Sequence, residues 1–133
     1  MAFNKTAYQS TIDVESPSYA ANKAIDGDES TRSVTKMDYK QWWSVDLKDI
    51  VHITHMLYNT VDTKSCCNRA LIVETRQKQE DAWLKCKDLG NIDESPLKFV
   101  CDEKTLARYV RIRSTERCHI AINEFEVYVY VVA

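Results

Sequence analysis

Two glycines and two prolines in 133 residues are very few. Such scarcity excludes a flexible linker, a repeat array and a low-complexity tail, and it leaves one compact unit, residues 1–133, as the expected domain organisation. Also missing is any apolar run near the roughly 20 residues of a membrane-spanning helix. The opening, MAFNKTAYQST, lacks the apolar stretch of a secretory signal. No excess of one sign of charge is present either: eighteen basic and twenty acidic residues leave a net charge of −2. Neither nucleic acid nor an anionic membrane is therefore attracted from a distance, although local basic patches are still allowed. Histidine is scarce, with three copies. His52 and His55 stand three apart in an extended run, which predicts opposite faces and spoils them as a metal pair.

What the chain does have is five cysteines, a count that leans toward an oxidising setting and leaves at least one thiol unpaired within a monomer. Cys66, Cys67, Cys86 and Cys101 fall in the middle of the chain and Cys118 stands apart. The interval from Cys86 to Cys101 suits a loop staple worth about 3 kcal/mol if it forms. With no partnering histidine and no second closely spaced cysteine pair, zinc is not expected. Cys66 and Cys67 leave two readings open. Bonded to each other they close a strained, rigid ring, because adjacent Cα atoms sit about 3.8 Å apart and ordinary bridges need about 4.4 to 6.8 Å. Unbonded, one is a buried structural thiol and its neighbour an exposed one. Cys118, between Arg117 and His119, has a setting that could lower its pKa, but no third group orients a Cys–His pair for catalysis. It reads better as an unpaired thiol or as a bridge to a second chain.

Strand-forming segments dominate: WWSVDL (42–47), VHITHMLYN (51–59), RALIVETR (69–76), AWLKC (82–86) and LKFVC (97–101). In ARYVRIRS, Tyr109, Arg111 and Arg113 alternate with Val110 and Ile112, and in NEFEVYVYVV, Phe125, Val127, Val129 and Val131 alternate with Glu126, Tyr128 and Tyr130. Period two marks strands with one face in a core. SYAANKAID (18–26) is the best candidate for a helical turn and is too short to organise a fold. Many short strands predict an all-β sandwich or jelly roll whose chemistry lies in the loops.

The order of NKTAYQST, ANKAIDGDEST, QWWSVDL, ARYVRI and INEFEVYVY resembles the F-type lectins, or fucolectins, within the discoidin-like F5/8 type C jelly-roll group. The resemblance spans nearly the whole chain and implies a non-catalytic, fucose-binding module with a structural calcium ion. Where such lectins read Asn-Arg-x-Asp, two adjacent cysteines and an arginine, this chain reads NTVDTKSCCNR. Asn59, Asp62, Cys66, Cys67 and Arg69 fit, and Thr60 stands in place of the first arginine. A sugar-binding histidine is implied shortly before the paired tryptophans, yet STRSVTKMDYKQWW has none. Two of three fucose-gripping groups are thus missing, which implies weakened fucose binding and a changed glycan or a protein ligand. The implied disulfides are Cys66–Cys67 and Cys86–Cys101. A further family bridge is lost at both ends, which here hold the Ser33/Val34 region and Asn123.

The implied ligand-binding set is Arg69, Asp62, Cys66, Cys67 and Thr60. Arg69 offers a planar fork of charged donors to sugar hydroxyls, and pairing with Asp62 at the start of a strand is its plainer alternative. The implied calcium set takes side chains from Asp26 and Glu124, carbonyls from Lys23 and Asp28, and an added oxygen from Ser33; hard oxygen donors are what Ca2+ requires. An ordinary Asp-Gly turn explains Asp26 and Gly27 equally well. A carboxylate at Glu124, beside the apolar Phe125, would be costly if buried without a partner. Of Trp42 and Trp43 only one can face a ligand, since neighbours on a strand point opposite ways, and Trp83 is expected in the core. Arg108, Arg111, Arg113 and Arg117 could hold an acidic glycan or form a solvated face balanced by Glu116 and Glu126. The expected partners are a glycan or glycoprotein, or a protein surface in a structural or adhesive alternative. An extracellular setting is expected, with self-association as a source of avidity and Cys118 as one means of it.

Overall fold

The computed structural model describes residues 5–13, 19–61 and 68–130. Asp62, Cys66 and Cys67 lie outside the described residues, and with them the adjacent-cysteine bond and the Arg69–Asp62 pair. Nine strands appear among the described residues: β1 (Thr6–Gln9), β2 (Ser33–Val34), β3 (Trp42–Asn59), β4 (Leu71–Arg76), β5 (Leu84–Gly90), β6 (Leu97–Phe99), β7 (Thr105–Ser114), β8 (Ala121–Ile122) and β9 (Glu124–Tyr130). The one helical element described is a 3-10 turn over Ala21–Ala24, inside the segment where a helical turn was expected. Among the described residues no helix is long and apolar enough to cross a membrane.

The long strand β3 organises the sandwich. Its first half runs antiparallel to β1 and β7, and its second half to β9 and β6. Between Asp46 and Val51 the register with β7 shifts. There Lys48 takes a φ of 76° and donates its N–H to Asp46 Oδ1 at 2.7 Å. An extra residue in one strand bends and twists it, so β3 turns a corner and serves both layers. One layer is ordered β1-β3-β7-β4-β5, and the other places β6 and β9 on β3.

Alternation fills the space between the layers. Trp43, Val45, Val73, Val110 and Ile112 face inward from one layer, while Met56, Tyr58, Phe99, Phe125 and Val127 face them from the other. Phe125 is central: its ring lies 5.4 Å from Trp43, 6.2 Å from Tyr58 and 6.4 Å from Phe99, centroid to centroid. The Trp43 and Tyr58 contacts are edge-to-face and the Phe99 contact is tilted, and ring pairs at such distances add to the area these rings bury. Trp43 also donates its indole N–H to the Ala21 carbonyl at 3.0 Å, seating the 3-10 turn on the core. The Cys86–Cys101 disulfide is present and ties β5 to the segment after β6, which joins one layer to the other.

Four sequence expectations change. Trp83 is not core: it is half-buried on the outer surface, stacked between Arg76 at 4.1 Å and Arg111 at 4.5 Å. His52 and His55 share a face, because a register shift between Ile53 and His55 restores the phase; His52 pairs with Tyr130 and His55 with Tyr128. Arg111 and Arg113 are balanced by Glu74, not by Glu116 and Glu126. Cys118 is fully buried, with Sγ 3.1 Å from Ser114 Oγ, so it cannot reach a second chain while the fold is intact.

Candidate functional site

One end of the sandwich is built around Asn68, a fully buried residue at a φ of 57°. Its Oδ1 accepts from the Tyr58 hydroxyl at 2.6 Å and from the Ala121 N–H at 2.9 Å. Its Nδ2 donates to Thr60 Oγ1 at 3.1 Å and to the Ala121 carbonyl at 3.0 Å. The main chain adds a bond from Asn68 N–H to the His119 carbonyl at 2.8 Å and one from Ile92 N–H to the Asn68 carbonyl at 2.9 Å. Every polar atom of the residue is thus engaged, as a buried amide requires. Asparagine tolerates the left-handed conformation better than most residues, which suits it to this corner.

Arg69 follows directly and is exposed. Its carbonyl accepts from Ser114 Oγ at 2.9 Å. Ala70, also left-handed at a φ of 50°, donates its N–H to Asn91 Oδ1 at 2.9 Å. Two left-handed, non-glycine residues therefore flank the exposed Arg69, each costing roughly 1 to 2 kcal/mol that the surrounding hydrogen bonds offset. Thr60 does not share that exposure. It is buried, with its hydroxyl accepting from Asn68 and its N–H on Ser95 Oγ at 2.9 Å, so it braces the corner.

His119 joins the same end. Its imidazole Nδ1 lies 2.8 Å from the Thr35 carbonyl and 3.8 Å from Asp13 Oδ1. A carbonyl partner requires the proton on Nδ1, which leaves Nε2 as an acceptor when the ring is neutral. Thr35 belongs to the stretch before the tryptophans where the resemblance implies a histidine and the sequence has none. An imidazole reaches that stretch after all, from a different part of the chain. Sequence reading missed both Asn68 and His119: one stands as an ordinary polar residue beside the cysteines, and the other entered only as a neighbour of Cys118.

Beside this corner lies an acidic turn. Three oxygens surround the Thr31 hydroxyl: Asp26 Oδ2 at 2.6 Å, the Asp28 carbonyl at 3.0 Å and the Lys23 carbonyl at 3.5 Å. Its single proton can satisfy one of them. Glu124 is buried, and its Oε1 accepts from the Gly27 N–H at 3.2 Å. Its carboxyl is pushed up to about 7, by burial above all, with the Gly27 bond acting to lower it and the charges of Asp26, Glu126 and Glu29 adding to the rise. Asn123 anchors the turn by donating from Nδ2 to the Glu29 carbonyl at 3.0 Å, a hydrogen bond where the resemblance implied half of a lost disulfide. Ser33 is buried in β2, opposite Ile122, and no hydrogen bond among the described residues ties it to the oxygen group.

The donor chemistry fits a hard cation. Two carboxylates, Asp26 and Glu124, and two carbonyls, Lys23 and Asp28, are the oxygen ligands calcium takes, and an ion would relieve the buried charge at Glu124. Among the described residues there is no group of three or more His, Cys, Asp or Glu side chains able to hold a metal by themselves, so carbonyl oxygens would be needed.

Similar structures share this architecture. A fucose binding module from Streptococcus pneumoniae aligns at a TM-score of 0.81 with 23% identity, covering 97% of this chain and 94% of that one. Chitosan-binding module 1 of a chitosanase/glucanase from Paenibacillus sp. IK-5 aligns at 0.80 with 22% identity and 96% of each chain. A fucolectin from striped bass (Morone saxatilis) serum aligns at 0.81 with 22% identity, covering 97% of this chain and 48% of its own. No curated protein matches the chain by sequence. The family model described as NedA-like, galactose-binding domain, of the F5/8 type C group, matches residues 23–112. The chain therefore belongs to the F5/8 type C family, in its NedA-like, galactose-binding domain branch, and has the discoidin-like jelly roll of the F-type lectins.

Proposed function

We propose that this protein is a non-catalytic carbohydrate-binding module whose ligand meets the loop end at Arg69. The observation that carries the reading is the Asn68 corner: six hydrogen bonds hold a buried asparagine so that the next residue, the exposed Arg69, is carried on a fixed backbone. Rigid backbone beneath a charged donor lowers the ordering cost of binding a polar, weakly apolar ligand. Relatives of the same fold point to the ligand class: their names attach them to fucose, to chitosan and, for the lectin domain of lectinolysin, to the Lewis b antigen.

Within that class we expect fucose to bind weakly or not at all. Thr60 replaces one arginine and is buried, and His119 enters from a different loop, so the polar groups around Arg69 would be differently arranged. Calcium is the expected ion at the acidic turn, held by Asp26 and Glu124 with the carbonyls of Lys23 and Asp28. When bound it would neutralise the turn and fix it against β9. An extracellular setting suits the Cys86–Cys101 disulfide. Affinity per site would be modest, and several copies would add avidity.

A glycan array with non-reduced protein, run with and without calcium, tests the reading. We expect binding to a restricted glycan set that Arg69→Ala abolishes while the melting temperature holds. Absence of binding to any glycan, with a stable assembly formed through the loops, would instead favour a structural or adhesive role. Strong fucose binding dependent on Arg69 would overturn the altered specificity.

A further inference from the structure

A cavity of about 580 Å3 opens on the sheet face, lined by residues of the turn before β3, of β3 itself and of β7 and its end. Alternation along β7 sends Arg111 and Arg113 outward while Val110 and Ile112 enter the core. Register sets Trp42 opposite Arg113 and Ser44 opposite Arg111. Tyr39, 64% exposed, and Lys40 complete the rim. Lys40 adopts a left-handed φ of 58°, and the turn is fastened by Tyr39 N–H on Asp38 Oδ1 at 2.8 Å and by Gln41 Nε2 on the Tyr39 carbonyl at 3.1 Å. A cation thus stands at a position that usually favours glycine or asparagine.

The lining holds three cations, Lys40, Arg111 and Arg113, and no carboxylate. Glu74, on the neighbouring strand, accepts from Arg111 Nη2 at 2.7 Å and from Arg113 Nε at 2.9 Å, both on Oε1. Setting that one carboxylate against the three cations leaves an excess of two positive charges, in a protein whose net charge is −2. Glu74 also acts as a brace. Together with the Trp83 ring, 4.5 Å from the Arg111 guanidinium, it holds Arg111 in place. Arg113 spends only its Nε on Glu74, and among the described residues its two terminal nitrogens make no hydrogen bond to protein. They can give an oxyanion the two parallel bonds that a guanidinium offers best.

We propose that this cavity is a second saccharide site, selective for an anionic sugar bearing a sulfate or a carboxylate. Arg113 and Lys40 take the acidic group. Trp42 and Tyr39 take the C–H face of the ring, and Thr115 offers a hydroxyl at the rim. The volume suits one or two sugar rings and is too confined for the continuous basic stripe that a nucleic acid would need. Its rim at Ser114 and Thr115 borders the corner, bonding to the Arg69 and Ala70 carbonyls, but its cations and rings come from the turn before β3, from β3 and from β7, and the Arg69 side chain is not among its lining.

Calorimetric titration of the full chain with a sulfated chondroitin disaccharide, a galacturonate trimer, neutral chitotriose and sodium sulfate, at low and at physiological salt, tests the proposal. At least one anionic saccharide should bind, more weakly as salt rises, and the arm that binds identifies sulfate or carboxylate as the recognised group. Arg113→Gln should weaken that binding about tenfold or more, the loss of one charge-assisted bidentate contact. Lys40→Gln, which leaves Glu74 undisturbed, should weaken it with an unchanged melting temperature, and Arg69→Ala should leave it as it was. The proposal is overturned if neither anionic saccharide binds better than chitotriose or sulfate ion, if both cavity variants bind normally, or if Arg69→Ala abolishes binding, which would move the ligand to the loop end.

Discussion

At Asn68, one residue holds together parts of the chain that are distant in sequence: its side chain joins the end of β3 to β8, and its main-chain N–H holds the His119 loop. Replacing it with alanine leaves the Tyr58 hydroxyl and the Ala121 amide without their partner and puts a Cβ-bearing residue with no local hydrogen bond in the left-handed region. Asn68→Ala should destabilise the fold by about 3 kcal/mol in urea titration, on the scale of unsatisfied buried groups plus backbone strain. Asn68→Gly removes the hydrogen bonds and keeps the backbone freedom, so it should cost less. Equal stability of all three proteins would show that the network contributes nothing. Cys118 gives a second test. Its burial predicts that alkylation of the native protein, mapped by peptide mass spectrometry, spares Cys118 until denaturant is added.

Glu124 links the residue scale to pH. Its folded carboxyl titrates near 7, above the ordinary value of 4.5, because burial disfavours its charge. The folded state therefore holds the proton more tightly than the unfolded chain. That contribution is complete below 4.5 and is lost as pH rises through about 7. Without divalent ions, wild-type stability should decline across this window relative to Glu124→Gln. Calcium prefers the ionised carboxylate, so its affinity should climb over the same window. Parallel stability curves for the two proteins in chelator would remove this account.

Among the elements, the Cys86–Cys101 bond has the clearest assigned work, since it links β5 in one layer to the segment following β6 in the other, across a separation of 15 residues. Closing a loop of that length is worth about 3 kcal/mol in the chain-entropy picture. Cys86→Ala/Cys101→Ala should lose about that much in denaturant unfolding, with little change in glycan binding if the loop end is held by the Asn68 network. Strand β3 shows where element-level patterns were readable and where they were not. Trp42 and Trp43 point opposite ways, as period two requires. Yet the irregularity between Ile53 and His55 reversed the predicted relation of His52 and His55, because a bulge changes the phase of every residue beyond it and no residue type announces it.

For the whole molecule, an ion bound only by the native state adds stability that depends on its concentration, about 2.7 kcal/mol at a hundred times its dissociation constant. Chelation should therefore lower the melting temperature, and Asp26→Asn should make the protein insensitive to chelator. An identical melt after proven removal of divalent ions would eliminate calcium from the turn.

Strand periodicity and segment order were enough to predict an all-β jelly roll, because each alternating run has only one face it can bury. The cysteine spacing, with the family resemblance, likewise anticipated Cys86–Cys101. Other features came into being only on folding. Glu74 as the counter-charge to Arg111 and Arg113, the stacking of Trp83 between arginines, the sealing of Cys118 and the approach of His119 to Thr35 all join residues far apart in the chain. Pairings of that kind depend on register and on the bends in β3, so they are properties of the packed sheets and not of any local stretch of sequence.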